Sequence, residues 1–225
     1  AENANEGLVV FAESQTKGRG RLGRRWSSPS GKGVWFSILL YPNLHPTEIT
    51  QLTAATATAL TRAIANETGL QAEIKWPNDL LLDGKKVAGI LTELQAELDQ
   101  VHHVIIGIGI DVQQSPSDFP SELRKSATSL KMALGHPVDR PSLATSLLRE
   151  LDHDYARILD REFKELAEEW ESRCSTLGQH VSIEVGARTL RGRAESLDPN
   201  GALLIRTDHG RLERVTGGDV LILDT

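Results

Sequence analysis

The sequence predicts an α+β protein in which a mixed sheet backed by helices is followed by a small all-β barrel. Three observations predict it. Short β-branched runs alternate with turns up to residue 111, helical stripes lie at 47–68 and again from about 139, and after Gly178 only short strands follow. The expected division is a larger domain over 1–177 and a C-terminal module over 178–225. A chain of 225 residues buries an ample core without cross-links.

Residues 8–12 (LVVFA) and 34–40 (VWFSILL) read as strands with at least one buried face, joined by a loop rich in glycine and arginine. Over 47–68, Ile49, Leu52, Leu60 and Ile64 fall at helical spacing among alanines, and Gly69 stands where the helix would stop. Residues 72–75 lead into LLLDGKKVAGILTEL, where Asp83-Gly84 between apolar runs signals a two-residue hairpin. Asp99-Gln100 then separates the second strand of this meander from a third, VHHVIIGIGID. Asp139 or Ser142 caps the next helix, Pro141 suits its first turn, and Leu143, Leu147, Leu151, Tyr155, Ile158 and Leu159 continue its stripe. The stretch DREFKELAEEWESR reads as a solvated helix face carrying ion pairs. Residues 180–223 hold about five short strands punctuated by Pro199-Asn200-Gly201 and Asp208-His209-Gly210, the spacing of a small barrel.

Composition narrows the function. A net charge of −6 argues against a protein that coats nucleic acid, and no apolar run reaches the length a bilayer demands, so neither DNA nor membrane is expected as a partner. The lone Cys174 forms no intramolecular bridge and fits a reducing cytoplasm. The chain lacks a basic leader followed by an apolar signal region, yet begins abruptly before LVVFA, as expected if an upstream segment is absent.

Against that acidic background, the basic segment KGRGRLGRR at 17–25 is informative. Its glycines let backbone amides approach an anion and its arginines supply forked donors for phosphate or carboxylate, although by charge alone it also reads as a solvated loop. It is neither a Walker loop nor a dinucleotide fingerprint. In KWPNDLLLDGKKVAGI, residues 75–90, Pro77 fixes a turn that holds Lys75, Trp76, Asn78 and Asp79 at a strand end. Beyond the hairpin, the apolar run from Val87 reads as a strand covered on both faces, so parity does not separate Lys85 from Lys86. Either lysine is an edge gatekeeper or a functional cation. GIGID at 107–111 places small residues where a ligand could approach the backbone, or marks a bulge.

Together these segments resemble the catalytic domain of biotin–protein ligases. AESQTKGRGRLGRRWSSP is similar to that family's biotinyl-adenylate loop, KWPND to its strand-end signature, KKVAGIL to the segment with its catalytic lysine, and GIGID to the strand that follows. The likeness implies a class II synthetase-like catalytic domain and an SH3-like C-terminal module, without a preceding DNA-binding segment. It implies an ATP-dependent ligase that forms biotinyl-5'-AMP and passes biotin to a lysine of a biotin carboxyl carrier protein, with Mg2+ held mainly through phosphates. It assigns Lys86, Arg21 and Asp79 to catalysis. Binding of biotin or nucleotide falls to Gln15, Gly18, Arg19, Gly20, Arg21, Arg24, Trp26, Lys75, Asn78, Lys86, Gly89, Gly107, Gly109 and Asp111, and no residue is assigned to metal.

Two departures bear on this. The family's Ser-Thr-Asn stretch upstream of the glycine loop has no counterpart in AENANEG, so a truncated chain or an incomplete biotin pocket is expected; and Asp111 stands where the family carries asparagine. A lipoate ligase or octanoyltransferase shares the general fold, but GRGRLGR with KWPND favours biotin. A non-catalytic biotin- or nucleotide-binding module is the alternative of a different class. A homodimer through exposed strands of the meander is a further expectation.

Overall fold

The computed structural model describes residues 4–223, so the first three residues of AENANEG lie outside the described part. Six strands form the main sheet: β1 (Leu8–Phe11), β2 (Gly33–Leu40), β3 (Glu73–Lys75), β4 (Asp79–Leu82), β5 (Lys85–Ala96) and β6 (Val101–Asp111). Their order is β1-β2-β6-β5-β4-β3 and every ladder is antiparallel. Parallel contacts are isolated bridges, Ile74 with Cys174 and Lys86 with Ala127. The hairpin between β4 and β5 turns at Asp83 and Gly84, both with positive φ, as a two-residue turn requires.

Helix α1 (Thr50–Thr68) packs against the sheet and against α3 (Arg140–Leu159) and α4 (Phe163–Arg173). It is buried nearly all round, which explains its alanines. Its buried Thr56, Thr58 and Thr61 donate their hydroxyls to the carbonyls of Leu52, Ala54 and Thr58. Gly69, at φ +74°, ends it in the left-handed conformation that glycine adopts without strain. A short helix, α2 (Leu130–Leu134), follows the loop after β6. In α3, Asp139 holds the cap position and Pro141 the first turn. The charged face of α4 is not wholly solvated: Phe163, Leu166 and Trp170 are buried, and Glu169 turns in to Arg62 of α1 at 2.8 Å.

The C-terminal module is a five-stranded antiparallel sheet of β7 (His180–Val185), β8 (Arg188–Leu197), β9 (Leu203–Thr207), β10 (Leu212–Val215) and β11 (Asp219–Ile222), in the order β10-β9-β8-β7-β11. It docks through the 199–201 turn, whose Pro199 carbonyl accepts from Gln51 Nε2, and through Glu171, which accepts from the Leu197 amide. No helix among the described residues is long and apolar enough to cross a membrane.

Candidate active site

Strand alternation puts Ile106, Ile108 and Ile110 in the core and turns Gly107, Gly109 and Asp111 to the opposite face. That face is an open cleft. The strand at 87–91, expected to be covered on both sides, is therefore covered on one, and Gly89 and Leu91 are only half-buried. The same strand separates the two lysines. Asp79 pairs with Gly89 and Leu80 with Ala88, but Leu81 pairs with Lys86, so β5 carries one extra residue between these pairings. Regular alternation would put Lys85 on the face of Gly89; the bulge puts Lys86 there, with its Nζ 3.3 Å from where a Gly89 Cβ would stand.

Lys86 is held from three sides. Its ammonium donates to Asp79 Oδ1 at 2.5 Å and lies 5.4 Å from the centre of the Trp26 ring. Its backbone amide donates to Ser126 O and its carbonyl accepts from the Thr128 amide. The indole of Trp26 rests on paired Gly89 and Gly109; a Cβ on Gly109 would come within 2.6 Å of it. These two glycines thus admit a side chain of this protein, while at Gly107 a Cβ would make only ordinary van der Waals contact, its nearest neighbour 3.6 Å away.

The basic loop has order of its own. Gly20 donates to Arg24 O and Trp26 to Gly18 O, a narrow hairpin whose tip, Arg21–Gly23, contains the positive φ of Leu22 and Gly23. Gly18 is buried inside it, because a Cβ there would meet Trp26 O at 2.5 Å. Gln15 accepts from Ser28 Oγ at 2.7 Å. The arginines lean on acceptors: Arg19 on Glu93 at 3.0 Å, Arg21 on Asn78 Oδ1 at 3.2 Å, Arg24 on Asp219 of β11. Burial pushes the Arg21 pKa down, although Asp219 and Asp79 oppose it.

Except for Gly18, every residue singled out from the sequence lines one cavity of about 610 Å³: Gln15, Arg19, Gly20, Arg21, Arg24, Trp26, Lys75, Asn78, Asp79, Lys86, Gly89, Gly107, Gly109 and Asp111. That is the size of a small-molecule site. Sequence reasoning missed Gln114, Phe119 and Leu123 from the loop after β6, and Gly218, Asp219 and Val220 from the C-terminal module. None belongs to a motif, and only the small Gly217-Gly218 pair before β11 hinted at close approach; a Cβ on Gly217 would stand 2.7 Å from Arg21 Nη2. Asp111 is buried, and burial raises its pKa well above the usual carboxylate range against the opposing charge of Lys86.

Known proteins with the same pattern are many. Residues 1–111 match the model of the biotin/lipoate A/B protein ligase family, and 176–223 that of the biotin protein ligase C terminal domain. The chain is 41% identical over 218 residues to the bifunctional ligase/repressor BirA of Bacillus subtilis, covering 97% of this chain and 67% of that protein. It is 33% identical to the biotin–[acetyl-CoA-carboxylase] ligase of Paracoccus denitrificans, covering 90% of this chain and 85% of that one. Among solved structures, the biotin protein ligase of Aquifex aeolicus in complex with biotin and ATP superposes with a TM-score of 0.84 at 32% identity, covering 99% and 91% of the two chains.

Proposed function

The chain belongs to the biotin/lipoate A/B protein ligase family, and from that premise we propose how its residues join biotin to a carrier protein. It is a biotin–protein ligase: it activates biotin with ATP as biotinyl-5'-AMP and transfers biotin to a lysine of a biotin carboxyl carrier protein. Relatives named as biotin–[acetyl-CoA-carboxylase] ligases, at 33% and 34% identity, favour biotin over lipoate.

Activation brings the biotin carboxylate onto the α-phosphate of ATP, and two such charges about 4 Å apart repel by roughly 4 kcal/mol at intermediate dielectric. The single observation that carries the assignment is the ammonium of Lys86, held by Asp79 at 2.5 Å in a cleft that also takes Arg19, Arg21 and Arg24. Each cation already rests on an acceptor of the protein, so each keeps its place until a ligand oxygen replaces that acceptor. Lys86 then bridges carboxylate and phosphoryl oxygen, Arg19 and Arg21 hold the adenylate and phosphates, and Gln15 with Gly107 lies on the biotin side. Trp26 walls the cleft over Gly89 and Gly109, with Lys75, Asn78, Gly20 and Arg24 at its rim.

Magnesium, when bound, would be held mainly by oxygens of the triphosphate and would neutralise charge on the triphosphate and the leaving pyrophosphate. In transfer, the acceptor amine attacks the anhydride carbonyl, expels AMP and loses a proton. Asp79, beside Lys86, accepts a hydrogen bond from that amine. In this reading residues 1–177 carry the chemistry, residues 178–225 close one side of the cleft, and the protein works in the cytoplasm. β4 pairs with β5 only as far as Gly89, so the outer part of β5 offers a free edge to a second copy.

Adenylation assays on Lys86→Ala and Lys85→Ala test the assignment. Lys86→Ala should slow adenylate formation about a hundredfold or more with little change in biotin affinity, since its charge matters most in the transition state. Full activity in Lys86→Ala, with loss in Lys85→Ala, would overturn it.

A further inference from the structure

The bulge that turns Lys86 into the cleft has a second neighbour besides β4. On its other side β5 is flanked by β6, whose ladder ends where Ala88 meets Ile110, short of the lysine. A segment returning from the loop after β6 takes over from there: Ala127 pairs with Lys86 in the parallel sense. The Lys86 amide donates to Ser126 O at 2.8 Å, and the Thr128 amide donates to Lys86 O at 2.8 Å. Both backbone polar groups of the lysine thus engage this one segment. The segment is itself fixed, for Ala127 and Thr128 are 8% and 6% exposed and the Ala127 amide donates to Leu123 O. The next residue, Ser129, caps α2 and donates its hydroxyl to Gln114 O.

A lysine side chain is long and flexible, so its ammonium is placed no better than its ends are held. Asp79 holds the tip at 2.5 Å. A ligand oxygen that displaces Asp79 releases that hold, and the main chain then has to keep the lysine in place. We propose that residues 126–128 are the positioning element of the catalytic lysine, their two main-chain hydrogen bonds keeping Lys86 in the bulge once its ammonium has passed from Asp79 to the ligand. This rests on Lys86 being the residue that meets the carboxylate and the phosphoryl oxygen. Thr128 acts through its amide and through Lys86, not through its hydroxyl. A shift of about 1 Å in a reacting group costs up to about a hundredfold in rate, so loosening this rung is felt in the chemical step before it is felt in binding.

Thr128→Pro removes the amide that donates to Lys86 O, whereas Thr128→Val keeps the amide and removes only the hydroxyl. Adenylate formation would be followed in both, in Lys86→Ala and in the Lys86→Ala/Thr128→Pro double variant, giving kcat and the KM for ATP and for biotin. Thr128→Pro should lower kcat about tenfold or more with both KM values within about twofold, and Thr128→Val should keep the wild-type kcat. In the Lys86→Ala background, Thr128→Pro should change the residual rate by less than about twofold, because the group it misplaces is gone. An equal loss in both backgrounds would overturn the proposal, since the segment would then act on the cleft as a whole. So would a loss carried by KM alone. Hydrogen exchange on the wild-type chain keeps the test independent of whether the proline variant folds. Its Lys86 amide should exchange at least about a hundredfold more slowly than an unprotected loop amide, and exchange at the loop rate would also overturn the proposal. Full activity in Lys86→Ala would instead sink the assignment of Lys86 and the proposal with it, so the two failures are distinguishable.

Discussion

At the scale of single residues, the cleft combines features that sequence displays with one that it conceals. Glycines 89, 107 and 109 and the clustered arginines are visible as a pattern, but the choice between Lys85 and Lys86 is not. Strand parity favours Lys85 for the face of Gly89, and only the extra residue in β5 reverses it; a bulge depends on the partner strand, which a single sequence does not display. The glycines carry different burdens. Gly109→Ala would drive a methyl into the Trp26 indole, so it should lower stability by about 1–3 kcal/mol and alter tryptophan fluorescence, whereas Gly107→Ala, with its nearest neighbour at 3.6 Å, should fold as the wild type does. Equal denaturant midpoints for the two variants would contradict the packing account. Asp111 adds a pH dependence. Its folded pKa lies above its unfolded one, so below about pH 4 both states hold the proton and the contribution of Asp111 to stability is fully present there. As pH rises from there through the raised value, the unfolded state releases its proton first and this contribution is lost. Asp111→Asn should therefore gain stability relative to the wild type across that window and keep the gain at neutral pH. Melting temperatures of the pair from pH 4 to 8 would show it; a difference that stays constant with pH would not fit.

Among the elements, helix stripes and hairpin were legible because their causes are local. Asp83-Gly84 takes the two positive φ angles its turn needs, and Leu143, Leu147 and Ile158 of the predicted stripe are buried in α3. The inward charges of α3 and α4 were not legible, since their partner comes from α1. Arg62 binds Glu150 at 2.6 Å, Asp154 at 2.6 Å and Glu169 at 2.8 Å, and Asp154 is 1% exposed in its side chain. Burial alone would lower the Arg62 pKa, but the three carboxylates outweigh it and raise it. Removing this cation leaves acidic groups facing one another in a helix interface. Arg62→Met should cost about 3 kcal/mol, and adding Asp154→Leu should restore part of that loss, because replacing a buried pair as a whole is cheaper than breaking it. Urea midpoints of the single and double variants measure the coupling, and strictly additive losses would mean that the network contributes nothing as a unit.

For the whole molecule, a separate C-terminal module was legible in the change of texture after Gly178, but its part in the cleft was not. The contact that matters joins Arg24 to Asp219, 195 residues apart, and no local pattern records such a pairing. Through it β11 leans on the basic loop, while the 199–201 turn and Glu171 fix the module to α1 and α4. Asp219 is therefore both an anchor for the loop and a competitor for the charge the loop offers to phosphate. The pair is solvent-exposed, with side-chain exposures of 67% and 38%, so its anchoring strength is small and easily screened. Competition should then outweigh anchoring. Asp219→Asn frees Arg24 and removes a negative charge beside the triphosphate, so it should tighten ATP binding about two- to fivefold at low ionic strength. The gain should shrink as salt rises, because a Debye length near 3 Å at 1 M leaves little of an exposed interaction. ATP titrations of wild type and variant at low and high salt decide the matter. Weaker ATP binding by Asp219→Asn at low salt would make the carboxylate chiefly an anchor, and the C-terminal strand a positioning element of the catalytic loop.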